Sequence, residues 1–155
     1  MGISGLSSDV PEVQELVGKI ALRAKDAWGE ISSQELSMCL HGMAGMQSDS
    51  TNVRSLISAL IPLVKKCNKM TANDVRSAMY GFQGMHCSSK EVNDFIGVFA
   101  DLLERSNVQF ATSYDASTAL YSMQGLSSSV PSNRRLLGLI ANSLNTVQVT
   151  HVLSS

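Results

Sequence analysis

The sequence predicts an all-α fold: an α-solenoid of antiparallel helix pairs, about 3.5 repeats of ~40 residues each. Three observations carry this. The phrase Cys39-Leu40-His41-Gly42-Met43-Ala44-Gly45-Met46 returns as Ala78-Met79-Tyr80-Gly81-Phe82-Gln83-Gly84-Met85 and as Ala119-Leu120-Tyr121-Ser122-Met123-Gln124-Gly125-Leu126. A truncated copy, Met1-Gly2-Ile3-Ser4-Gly5-Leu6, opens the chain, so the phasing glycines fall 40, 39 and 41 residues apart. Before each complete phrase stands a helix-capping pair: Ser32 with Glu35, Thr71 with Asp74, Thr112 with Asp115. After each glycine, apolar residues recur at spacings of three and four, the stripe of an amphipathic helix.

Each element follows from that phasing. The chain enters at the last turn of a first helix, with Met1 in the slot of His41, Tyr80 and Tyr121. Four residues after the glycines stand Asp9, Asp49, Ser88 and Ser129, which predict N-caps for a second helix. Glu12 and Glu91 would complete capping boxes with Asp9 and Ser88. Pro11 and Pro131 fall in the first turn, where a missing N–H costs nothing. The second-helix stripe reads Val53, Leu56, Ile57, Leu60, Ile61 in one copy and Val92, Phe95, Ile96, Phe99, Ala100 in the next. Pro62 lies inside the former helix and should kink it or loosen its last turn.

Connectors of variable length follow at 25–31, 65–70 and 104–111. The first helices then present Leu36, Cys39, Leu40, Met43; Val75, Ala78, Met79, Phe82; and Ala116, Ala119, Leu120, Met123. The glycine closing each phrase suits a left-handed C′ cap. Past Gln148 another first helix should begin, without a cap-and-acid pair. Neither end shows a clear polar capping face. Residues 1–155 therefore read as one helical-repeat domain whose open ends suit a longer array or a covering partner.

Composition narrows the function. Only 16% of residues are charged, against about 25% in ordinary soluble chains, so the surface is rich in small polar groups or covered by a partner. A net charge of −1 gives no global attraction for nucleic acid. Three cysteines without a framework spacing suit free thiols in a reducing compartment. No apolar run approaches the ~20 residues of a membrane span, and the first residues lack the pattern of a signal peptide.

No catalytic constellation is present: His41, His86 and His151 occupy three different slots without a recurrent acid and nucleophile. The reading is of a non-enzyme with no cofactor and no small-molecule substrate. Cys39, His41, Cys67, His86 and Cys87 carry metal-ligating atoms, but Cys39 shares a stripe slot with Ala78 and Ala119 and reads as a small buried hydrophobe. The candidate binding residues are the ring slot, His41, Tyr80 and Tyr121, and the cations Arg54, Lys65, Lys66, Lys69, Arg76 and Arg134. The rings can pack between repeats or stack on a nucleobase. Lys65, Lys66, Lys69 and Arg76 gather around one connector, and Arg54 and Arg134 share a slot, so they would either be solvated or line a phosphate path. Gln34, Asn73 and Tyr114 vary at one slot near the start of the first helix, as reading positions or simply as exposed residues.

The phrase Ala119 to Leu126, with an acid-capped helix before it and a proline-containing helix start after it, resembles octotricopeptide-type repeats and related helical arrays. The resemblance implies a paired-helix solenoid of plastid or mitochondrial proteins that bind and process RNA. Two functions therefore stand: a structural or interaction subunit docked in a larger, organellar protein assembly, and an organellar reader of single-stranded RNA acting in RNA processing or translation. In the second, Tyr80, Tyr121, Lys65, Lys66, Arg54 and Arg134 would share one binding edge.

Overall fold

A computed structural model describes residues 6–26, 29–86 and 88–144; Met1 to Gly5, Cys87 and the stretch from Gln148 onward lie outside them. The described residues contain seven helices and no strand: α1 Pro11–Lys25, α2 Ser33–His41, α3 Thr51–Lys66, α4 Ala72–Tyr80, α5 Lys90–Ser106, α6 Ser113–Ser122 and α7 Pro131–Leu144. The fold is all-α, as expected. Helices of 14 to 17 residues alternate with helices of 9 or 10.

The short helices start where their side chains dictate. At α2 the Glu35 N–H donates to Ser32 Oγ at 3.2 Å, while Glu35 Oε2 accepts from the Ser32 N–H at 2.9 Å. Thr71 with Asp74 and Thr112 with Asp115 form the same reciprocal pair.

The long helices start one residue later than the sequence suggests, and the predicted boxes Asp9–Glu12 and Ser88–Glu91 do not form. The N-caps of α1, α3 and α5 are Val10, Ser50 and Ser89, and only Ser89 caps with its side chain, accepting from Val92 N–H at 3.3 Å. A tight turn intervenes: the N–H groups of Val10, Ser50 and Val130 donate to the carbonyls of Ser7, Gln47 and Ser127. Asp9 and Ser129 sit inside that turn, their N–H groups on the hydroxyls of Ser7 and Ser127. Pro11 and Pro131 are the first helical residues. Helix α3 continues through Pro62 to Lys66, so the proline does not end it.

Packing links each helix to the one two places along: α1 to α3, α3 to α5, α5 to α7, and α2 to α4, α4 to α6. The long helices thus form one row and the short helices another. Neighbours in a row run the same way. Asn52 at the start of α3 donates to the Gln14 carbonyl near the start of α1 at 2.9 Å, and Lys66 at the end of α3 shares a groove with Ala24 and Lys25. Between the rows lies the core, in which Phe82 meets Phe95 and Phe99 edge-on with ring centres 5.7 and 4.9 Å away.

Two devices bind successive segments. Ser8 Oγ accepts from the Gln47 N–H at 3.1 Å, and Ser48 Oγ, one segment on, accepts from the His86 N–H at 2.8 Å. Both serines are buried. The second device is the phasing glycine, for a reason that differs from the expected one. Among the described phasing glycines only Gly45 is left-handed, at φ 84°, and a Cβ there would meet nothing within 4 Å. At Gly84 and Gly125 a Cβ would stand 2.0 Å from the Met46 carbonyl oxygen and 2.5 Å from that of Met85. One slot is thus glycine for conformation in one copy and for close backbone approach in two others.

Candidate interaction surface on the short-helix row

The slots four, seven, eight and eleven residues before each glycine share one side of a short helix, since helical neighbours recur at three, four and seven. Most of this side faces out from the short-helix row, although Ser37 of α2 is buried. It carries Met38, Tyr80, Tyr114 and Tyr121, exposed at 56%, 37%, 66% and 53%. Gln34 and Asn73, which vary in sequence, are also exposed on it. The His41 ring stacks on Tyr80 at 4.8 Å with 16° between planes, and its Nδ1 lies 3.3 Å from the Ser77 carbonyl oxygen. Tyr121 stands in the open at the row's far end, beside Leu120, which is 59% exposed. Ring packing between neighbours therefore holds for His41 and Tyr80, and not for Tyr121.

The cations are placed apart. Arg76 lies on the outward side, but it is held there: Nη1 reaches Asp115 Oδ1 at 3.2 Å, Nη2 bonds Asn73 Oδ1, and its guanidinium sits 5.1 Å from the Tyr114 ring centre. Arg54 donates to the carbonyls of Ser48 at 2.9 Å and Asp49 at 2.6 Å, and Arg134 to those of Ser128 and Ser129 at 3.1 Å each. Their shared slot is a clasp on the turn that starts their own helix. Lys65, Lys66 and Lys69 are exposed at the other end of α3, roughly 18 Å along the axis from Arg54 at 1.5 Å per residue. Lys66 shares a shallow hollow there with Glu30, Gly29 and Asn68. The expected single edge of Tyr80, Tyr121, Lys65, Lys66, Arg54 and Arg134 is therefore not formed.

One cation escaped sequence reading. Arg105 of α5 donates through Nη2 to the carbonyls of Val64 at 2.9 Å and Cys67 at 2.7 Å, capping the C-terminus of α3 from the next segment. Nothing near it in sequence announces a partner about 40 residues away.

Cys67 is buried as a small hydrophobe, and burial pushes its thiol above the usual range. Cys39, expected to be buried like Ala78 and Ala119, is exposed, while those two alanines are fully covered. Desolvation, and secondarily the Glu35 carboxylate, still raises its thiol. Among the described residues no three His, Cys, Asp or Glu side chains gather as a metal site. No described helix is long and apolar enough to cross a membrane. Compared with known proteins, the chain matches no family model, no curated protein and no solved structure.

Proposed function

We propose that the chain is an α-solenoid of about three and a half helix-pair repeats that acts as a non-enzymatic interaction subunit of a larger, organellar protein assembly. Hydrogen bonds that join equivalent slots one segment apart, such as Ser8 with Gln47 and Ser48 with His86, support the repeat reading. One observation carries the function: the outward side of the short-helix row exposes Met38, Tyr80, Tyr114 and Tyr121, while its one arginine, Arg76, is tied to Asp115. Aromatic and methionine side chains with few free charges are what protein interfaces enrich. The organellar placement rests on the octotricopeptide resemblance alone.

A second reading, binding of single-stranded RNA, draws on that resemblance and on the exposed tyrosines, which offer faces for bases. Its electrostatics are weak, because Arg54 and Arg134 are engaged on their own turns and the lysines stand at the far end of α3.

Salt-dependent RNA binding separates the two. For the interaction subunit we expect no submicromolar RNA affinity at 50 mM salt, and co-purification of partners that Tyr121→Ala with Tyr114→Ala reduces. Submicromolar binding whose log–log salt slope is about −0.7 per phosphate contacted, and which Lys65→Ala/Lys66→Ala flattens, would establish the RNA reading instead.

A further inference from the structure

The cations that this molecule does not use for itself stand together. Of its 12 lysines and arginines, Lys19, Arg76, Lys90 and Arg135 sit in ion pairs, and Arg54, Arg105 and Arg134 hold backbone carbonyls. Among the described residues Arg23, Lys25, Lys65, Lys66 and Lys69 bond to nothing. The first four lie in the last turns of α1 and α3, and Lys69 follows α3 in its connector. Cations at a helix end ordinarily serve its last carbonyls and the negative end of its dipole. On α3 that duty falls to Arg105, which holds the carbonyls of Val64 at 2.9 Å and Cys67 at 2.7 Å, so Lys65 and Lys66 are left in solvent. Helices α1 and α3 run the same way, and Lys25 and Lys66 meet across one groove.

The floor of that groove is apolar. Ala24, Ala59, Pro62 and Leu63 line it, and Leu22 of α1, 63% exposed, extends the apolar side next to Lys25. The slots 17 and 20 residues after the glycine show how this stretch of the row differs from the next. They hold Leu22 and Lys25 on α1 and Pro62 and Lys65 on α3, but Asp101 and Glu104 on α5. Those two acids are answered within the molecule, by Arg135 of α7. The lysines are not: Asp26 and Glu30 are exposed in the adjoining connector without forming an ion pair, and Glu30 and Lys66 share a hollow. Residues 1–5, 27–28, 87 and 145–155 contain no aspartate or glutamate either. An apolar floor with unanswered cations along both walls selects carboxylates beside aliphatic side chains. No described aromatic ring lines the groove or the hollow, so a nucleobase finds no platform there.

We infer that the groove between the C-terminal halves of α1 and α3 docks an acidic, aliphatic segment of a partner protein. Its carboxylates meet Lys25, Lys65, Lys66 and Lys69, and its aliphatic side chains lie on Leu22, Pro62 and Leu63. The inference rests on the reading of the chain as an interaction subunit and adds a second contact, on the long-helix row, with its own chemistry. A second copy of the chain is a poorer occupant, because its acid pair at Asp101 and Glu104 is already taken by Arg135.

The probe is a labelled synthetic peptide, Glu-Leu-Asp-Ala repeated three times, with Gln-Leu-Asn-Ala repeated three times as its neutral match. By fluorescence anisotropy at 50 mM salt we expect saturable binding of the acidic peptide only, weakened several-fold at 200 mM. Lys65→Gln/Lys66→Gln should weaken it about tenfold, and Lys25→Gln several-fold. Lys90→Gln, a lysine at the start of α5 already paired with Asp94, should leave it unchanged. Pro62→Glu sets an acid in the groove at an exposed position and removes a proline from a helix interior, so circular dichroism should keep its helix signal while binding falls tenfold or more. Absence of binding, equal binding of the neutral peptide, or binding that Lys65→Gln/Lys66→Gln or Pro62→Glu leaves unchanged overturns the inference. So does self-association that Lys65→Gln/Lys66→Gln abolishes, which would make a second copy the occupant. A failed peptide titration, with co-purified partners still lost in Tyr121→Ala with Tyr114→Ala, overturns this contact and leaves the interaction-subunit reading standing. A labelled twelve-nucleotide oligouridine that binds more tightly than the peptide through the same lysines overturns both.

Discussion

Replacing Gly84 by alanine should be the most damaging single-methyl insertion at the phasing positions. The added Cβ would lie 2.0 Å from the Met46 carbonyl oxygen and 2.8 Å from its carbon, both backbone atoms that cannot rotate away. Relief requires the two turns to separate by more than an ångström. That separation breaks the bond at 3.1 Å from the Ser48 N–H to the Gly84 carbonyl and strains the one at 2.8 Å from the His86 N–H to Ser48 Oγ. Overpacking costs about 1–3 kcal/mol and each buried group left unsatisfied about 1–3 more, so the total is about 3–5 kcal/mol. Gly45→Ala faces a different penalty. It has room, with nothing within 4 Å of its Cβ, but at φ 84° it must hold a left-handed alanine, which costs about 1–2 kcal/mol. Urea unfolding at 25 °C followed by circular dichroism measures both. In thermal melts each kcal/mol moves the midpoint by about 2–4 °C at this chain length. If Gly84→Ala is no worse than Gly45→Ala, close backbone approach is not what the slot selects.

Other outcomes follow from the same contacts. Gly97→Ala in α5 and Gly138→Ala in α7 have nothing within 4 Å of the new methyl and lie in helix interiors, so each should stabilise by about 0.5–1 kcal/mol in the same urea titration. Ser48→Ala orphans the His86 N–H and should cost about 1–3 kcal/mol, whereas Ser128→Ala, exposed at the equivalent slot, should stay within about 0.5 kcal/mol of the parent. Equal effects at the two serines would refute the cross-segment bond. Ser32 holds the Glu35 carboxyl below its usual range, first through its hydroxyl and then through its N–H. A lowered folded-state value means that the capping box stabilises above the unfolded glutamate value, about 4.3, and is lost as pH falls through the lower folded value. Amide protection at Ser32 and Glu35, taken relative to the intrinsic exchange rate at each pH, should therefore fall at acid pH in the parent and not in Glu35→Gln; the same response in both would exclude the carboxylate as the cause.

What was legible in the sequence is what acts over three or four residues. Ser32–Glu35, Thr71–Asp74 and Thr112–Asp115 form as read, because a capping box is closed by its own side chains. The long-helix starts were misplaced by one residue because a backbone turn competes for the same N–H groups; Asp9 sits within that turn, its N–H on Ser7 Oγ. Arg54 and Arg134 drew a binding role from their recurrence, yet a recurrent arginine can be recurrent for a local duty, here a clasp on carbonyls five and six residues back. The serines Ser8 and Ser48 share a slot just as regularly, but their partners, the N–H groups of Gln47 and His86, lie 39 and 38 residues away. Cys39 is exposed where Ala78 and Ala119 are fully covered, and no property of its slot encodes the difference.

The distance along the chain at which the segments are stitched together has a kinetic consequence. Bonds from His41 to Ser77, Gln47 to Ser8, His86 to Ser48 and Arg105 to Val64 span 36, 39, 38 and 41 residues. Docking each segment therefore closes a loop of nearly constant length, at an entropic cost that does not grow as the chain is added. Folding can begin at the Phe82–Phe95–Phe99 cluster and spread outward one segment at a time. Opening runs the other way. Among the described helices α1 and α7 each meet a single row neighbour, so in a chain of these residues amide protection should fall from α3 and α5 toward α1 and α7.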